Sequence, residues 1–169
     1  MRVNYASIFE RKRIMMNDIV VDKLTLSYPD GFHIMDAGEK ERLNFLGGDT
    51  GECLSDSDRH IIISIGYKSA GGLGFLVSAK DAAKKTEAAI RKAMLSFSYH
   101  LNGFDKRSIG GEDAEGFRYE YEAQGISMYA ESVVVKHEHT LYYLHFYARK
   151  ELLEESLAVW GDILSSAGF

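Results

Sequence analysis

Three histidines in the last third of the chain have spacings that chemistry can use. His137 and His139 lie two residues apart, and His145 follows at the same parity. On an extended strand such residues share a face, so two imidazoles could hold one metal ion such as zinc. The surrounding "KHEHT" reads instead as a solvated turn, which breaks the geometry between the pair and His145. No cysteine or second carboxylate cluster accompanies them, so neither a metal site nor a cofactor is expected.

Other combinations fail on their surroundings. Cys53 and His60 could pair as nucleophile and base, but an activated thiolate needs positive neighbours and Glu52, Asp56 and Asp58 are the opposite. Residues 49–51 spell the Asp-Thr-Gly of aspartic proteases, yet that chemistry needs two carboxylates sharing a proton and no second copy exists. The "AGGLG" at 70–74 lacks the Gly-Lys-Ser/Thr of a phosphate cradle. Lys80, Lys84, Lys85, Arg91 and Lys92 outnumber Asp81 and Glu87 on one predicted helix, and "RKR" stands at 11–13. Both are read as solvated charge. No catalytic residue is expected and the chain is not read as an enzyme.

The elements that must carry these residues follow from periodicity. Leu24, Leu26 and Tyr28 alternate with polar residues as in a half-buried strand. Pro29-Asp30-Gly31 then makes a turn, with Phe32, Ile34 and Met35 beyond it, giving a hairpin or a strand–turn–strand corner. Residues 36–58 read as a long polar loop holding a short strand at the Leu43–Leu46 island. His60 to Tyr67 is a continuous apolar run, hence a strand buried on both faces. Ser78 and Asp81 form a capping pattern, and an apolar stripe from Ala82 to Phe97 predicts a helix over 79–97 with Gly103 ending the segment. Three strands near 116–124, 126–137 and 140–148 form a meander. In the last of them both faces are apolar, so it needs cover above and below. Leu152, Leu153, Leu157, Val159, Trp160, Ile163 and Leu164 line a C-terminal helix that Gly168 can close. The order predicts α+β with a mainly antiparallel sheet and helices on both faces, a three-layer α/β/α sandwich.

The chain's 169 residues suffice for one domain that buries roughly 70% of its unfolded surface. Residues 1–20 read as an N-terminal extension and 21–169 as the single domain; Met15 and Met16 are alternative starts. A net charge of −5 argues against a nucleic-acid partner. One cysteine excludes an internal disulfide and fits a reducing cytoplasm. No secretory signal pattern is present, and no apolar run reaches the ~18 residues of a membrane span. A cytoplasmic protein without membrane contact is expected.

The order of "LTLSYPDGF", the middle helix, "SIGGEDAEGFRYEYEAQG" and "LYYLHFYA" running into a C-terminal amphipathic helix resembles the PsbP-like superfamily. That superfamily holds the PsbP subunit of photosystem II, the Ran-GTPase-binding Mog proteins and many small bacterial domains. The resemblance covers residues 20–169. It implies a scaffold role for Pro29, partners that are other proteins, and no shared catalytic residues. The chain departs from the PsbP branch in having no transit or signal segment. Only the fold is carried over, and no functional residues. The expectation is a non-catalytic protein-interaction module, with a homodimer left open and a small-molecule-binding domain, a metal-binding domain or an unreadable enzyme as alternatives. Tyr129, Tyr143 and Tyr147 are the candidate contact residues, because tyrosine buries a large area while keeping a polar tip.

Overall fold

A computed structural model describes residues 15–43 and 51–169. The fold is α+β and mostly antiparallel. A two-stranded sheet pairs β1 (Met16–Val21) with β2 (Leu24–Pro29), and seven strands form a second sheet in the order β3-β4-β5-β9-β8-β7-β6. These are β3 (His33–Ile34), β4 (Gly51–Asp56), β5 (Ile61–Ser69), β6 (His100–Ile109), β7 (Glu112–Ala123), β8 (Ile126–His137) and β9 (Thr140–Arg149). Three α-helices are described: α1 (Ala37–Glu41), α2 (Ala79–Ala93) and α3 (Leu153–Ser165).

The "YPDGF" stretch is a corner between sheets. β2 pairs back onto β1, while β3 joins β4 in the larger sheet. Pro29 therefore stands at the last position of a strand, where its missing N–H costs the ladder least. Gly31 follows at φ +104, and a Cβ there would lie 2.9 Å from the Asp56 carboxylate, so a side chain would meet both strain and a clash. Residues 16–20, read from sequence as part of an extension, form most of β1, and Ile19 joins the core. Residues 1–14, including the basic 11–13 run, lie outside the described residues.

The long loop expected over 36–58 contains two elements. Asp36 caps α1, accepting from the Glu39 N–H while the Glu39 carboxylate accepts from the Asp36 N–H. This reciprocal box is written in the sequence as Asp-x-x-Glu. β4 then runs between β3 and β5. Of the Leu43–Leu46 island, residues 44–46 lie outside the described residues.

Successive residues of β8 and β9 divide between two clusters. Val133, Val135, Tyr142, Leu144 and Phe146 belong to one, with Trp160, Ile163 and Leu164 of α3 and the apolar side of β1–β2. Val134, Leu141 and Tyr147 belong to the other, with Ala82 and Ala83 of α2 and Phe117, Tyr119 and Tyr121 of β7. Alternation along β8 and β9 sends successive side chains to different clusters.

Three sequence expectations need correction. α2 stops at Ala93 rather than near residue 97, because the Phe97 carbonyl is taken by the Glu122 N–H at 2.7 Å as the chain turns toward the sheet. The following stretch is a full edge strand, β6, in which Gly103 lies. A bulge between Leu101 and Gly103 breaks its alternation and hides it from a period-two reading. Gly168 does not close α3. It forms an isolated bridge with Thr25, exchanging hydrogen bonds of 2.9 and 3.0 Å, which ties the C-terminus to β2.

Trp160 is 2% exposed and stacks on Phe146 with centroids 5.2 Å apart. Trp160→Ala is expected to cost about 3–5 kcal/mol, measured by denaturant unfolding. A change within about 0.5 kcal/mol would show that α3 does not pack this way.

Candidate functional site

The structure separates the candidate residues that the sequence grouped. Tyr129 lies in the cluster of α3, whereas Tyr143 and Tyr147 lie on the side of α2. Tyr129 and Tyr147 are buried, and Tyr143 is half-buried. They do not form one surface. The histidines are also apart in role. His137 Nδ1 lies 2.7 Å from Glu112 Oε1, and its ring stacks on Phe169 at 4.4 Å. His139 is exposed in the turn. His145 faces Ser132, with Nδ1 and Oγ 2.6 Å apart.

Cys53 lies opposite Ser64 in the β4–β5 ladder, and His60 sits in the turn at the end of those strands. The two are not brought together. Burial pushes the Cys53 thiol up, away from the thiolate. Of the 49–51 triplet, Asp49 and Thr50 lie outside the described residues. The 70–74 run leads into a 3-10 turn at Gly74–Leu76. On α2 the lysines are exposed as expected, but Glu87 is not solvated. It is 6% exposed, accepts from the Tyr99 hydroxyl at 2.9 Å, and lies 3.2 Å from Arg91.

Two polar constellations escaped the sequence reading. The first is the Ser132–His145 pair, which looks like a nucleophile beside a base. Ser132 has no exposed surface, so no substrate can reach its oxygen. Burial alone holds the imidazole near a pKa of about 4. The second surrounds Glu131, which is 5% exposed. Arg107 bonds it at 2.6 Å and Asp105 at 2.8 Å, and the Trp160 indole donates to Glu131 Oε1 at 2.9 Å. Arg107 reaches across the sheet over Gly116, where a Cβ would lie 2.7 Å from the guanidinium. Cross-strand register is the only signal for either constellation, and it is set by turns rather than by local sequence.

Two cavities border α2 along its length and at its C-terminal end. The helix packs on β7 and β8, leaving a cavity of about 760 Å³ toward its C-terminal end and one of about 640 Å³ along its flank. Ala89, Ile90 and Tyr147 border both. The larger is walled by Ile62, Met94, Tyr119, Tyr121 and Met128, with Asp56, His60, Gln124 and Arg149 at the end where β5 and β8 begin and β9 finishes. Burial pushes Tyr121 up to about 12, and Tyr119 and Tyr147 are raised further. Aliphatic and aromatic side chains make up most of this wall, which suits apolar groups.

An exposed apolar loop lies at the other end of α2, beside a further cavity of about 770 Å³ that Phe75, Leu76 and Lys80 help to line. In the loop before the helix Leu73, Phe75 and Leu76 are 65%, 68% and 65% exposed. The loop is nevertheless well held: Lys136 Nζ donates to the carbonyls of Gly74 at 2.6 Å and Val77 at 2.7 Å, and the Ala70 N–H donates to the His139 carbonyl at 2.8 Å.

No protein-family model and no curated protein matches the sequence. Solved structures do match in shape. The solution structure of cyanobacterial PsbP, CyanoP, from Synechocystis superposes with a TM-score of 0.65 at 13% identity, covering 96% of this chain and 97% of that one. LpqN, described as involved in cell envelope biogenesis of Mycobacterium tuberculosis, gives 0.57 at 10% identity over 92% and 91%. A mutant of the Mog1 protein gives 0.54 at 12% over 90% and 87%. The chain thus has a PsbP-like, Mog1-type fold, and at these identities the likeness concerns the fold alone.

Two outcomes test these groups. Arg107→Ala strands the Glu131 carboxylate and is expected to cost roughly 3–5 kcal/mol, while Gly116→Ala should destabilise by displacing the same guanidinium. Wild-type stability for either substitution in denaturant melts would show that the network is not closed. His145 is neutral in the fold and takes up a proton in the unfolded chain below its ordinary value of 6.5. Its contribution is complete above pH 6.5 and is lost as pH falls toward about 4, amounting to about 3 kcal/mol. His145→Gln should flatten stability across that window relative to wild type, and parallel profiles would refute the assignment.

Proposed function

We propose that the chain is a non-catalytic binding module that engages another protein through Leu73, Phe75 and Leu76. We read its architecture as a three-layer α/β/α sandwich, with α2 and α3 as the outer layers. The observation that carries the functional reading is an anchored loop presenting three large apolar side chains to solvent. A loop held at both ends loses little further freedom when it docks, so its apolar area is available for binding.

The rim favours a protein over an anionic bilayer. Lys80 and Lys106 lie there together with Glu112, Asp113 and Glu138. An apolar centre with a rim of mixed sign is the anatomy of a protein interface, whereas a bilayer surface attracts unmixed positive charge. The PsbP-like resemblance, whose known members work through protein partners, points the same way. A second copy of this chain is an admissible partner.

A photo-crosslinking residue placed at Phe75 in the native host should give one discrete adduct carrying a second polypeptide. Leu73→Ser with Leu76→Ser should abolish it. The same probe at Leu95, exposed roughly 20 Å away beyond the other end of α2, should not give that adduct. Mass spectrometry of the adduct separates a self-partner from another protein. Absence of a protein adduct, or lipid adducts alone, would overturn the proposal.

A further inference from the structure

The larger cavity beneath α2 is a second feature, at the end of the helix opposite the exposed loop. Its volume of about 760 Å³ falls in the range of small-molecule sites. Aromatic and aliphatic side chains form the wall, and the polar groups gather at one end. That division fits a ligand with an apolar body and a single polar head.

The charge at the polar end selects the head. Asp56 is already charge-compensated: its Oδ2 sits 3.0 Å from Arg59 Nη1 without a well-aligned hydrogen bond, and its Oδ1 accepts the N–H groups of Asp58 and Arg59 at 3.1 and 3.0 Å. Arg149 is held far more loosely. Its facing carboxylate is Glu151 at 3.5 Å, on a side chain that is 70% exposed. An exposed pair at that distance contributes little and gives way readily to a better acceptor. The His60 imidazole and the Gln124 amide add hydrogen-bonding capacity beside it.

Ala89 and Ala93 on the helix side keep the space open because their side chains are too short to fill it.

We infer that this cavity binds a small amphipathic monocarboxylate, with the apolar body between α2 and the tyrosines of β7 and β9 and the carboxylate on Arg149. The head must be anionic, because the arginine is the group at the polar end whose charge is weakly compensated. The body is aliphatic or aromatic, both of which the wall accepts.

Isothermal titration of the full chain with decanoate and decan-1-ol, and with 2-naphthoate and 2-naphthol, tests the site. At least one carboxylate should bind one-to-one with a Kd below about 100 µM, about tenfold tighter than its alcohol, a difference of about 1.4 kcal/mol. The pair that responds identifies the body. Arg149→Gln should weaken the carboxylate about tenfold and leave the alcohol unchanged, with Arg149→Lys recovering part of the loss. Ala89→Trp, with folding checked by circular dichroism, should block both. Absence of binding by either carboxylate, equal binding of acid and alcohol, or a carboxylate isotherm indifferent to Arg149→Gln would each overturn the inference.

Discussion

The Glu131 carboxylate is the point on which three parts of the molecule converge. It sits in the middle of β8, almost wholly buried, with the β6 guanidinium of Arg107 and the α3 indole of Trp160 both donating to its Oε1. A buried carboxylate is tolerable only when its charge and lone pairs are met. Meeting them requires β6 to lie at its observed register, β7 to carry a glycine beneath the guanidinium, and α3 to lie along β9 with the indole pointing inward. An isolated ion pair of this kind adds little net stability over apolar packing. Its effect is to make misplacement of any of the three elements expensive.

The cluster around α2 is organised differently. α2 is rich in alanine, approaches β7 and β8 closely, and meets a wall of aromatic rings. Phe117, Tyr119 and Tyr121 stand in succession along β7, with neighbouring centroids 5.9 and 6.0 Å apart. Small residues on the helix against large ones on the sheet fill the space directly beneath the helix. They do not fill it over β5 and β9, where the strands extend beyond the reach of one short helix. The cavities follow from that mismatch of widths.

The exposed loop and the cavity lie at opposite ends of the same helix, and their chemistry differs. One is an exposed apolar loop with both signs of charge beside it. The other is concave, apolar within, with a loosely paired arginine at its polar end. Both use the rigid sheet as support: Lys136 of β8 anchors the loop, and Arg149 ends β9. Among the described residues, Cys53 and His60 are not brought together, and burial closes off the Ser132 oxygen beside His145.

Local chemistry was enough to determine the meander, the capped start of α2, the amphipathic C-terminal helix and the two-sided burial of β9. Strand alternation and helix caps act within a few residues, so they are written in the chain itself. The reciprocal cap of α1 is equally local, written as Asp36-x-x-Glu39, but the reading of 36–58 as a loop passed over it. β6 was not legible, since its bulge removes the alternation that betrays a strand. Nor could the sequence say which residues meet. Glu131 and Trp160 are 29 positions apart, and Arg107 and Glu131 are 24. Tyr129 and Tyr147, which look alike in sequence, face opposite ways because pairing register fixes one parity for each strand. Register and helix placement are decided by the packing of the whole sheet, so the polar network, the loose arginine and the cavity exist only in the tertiary structure.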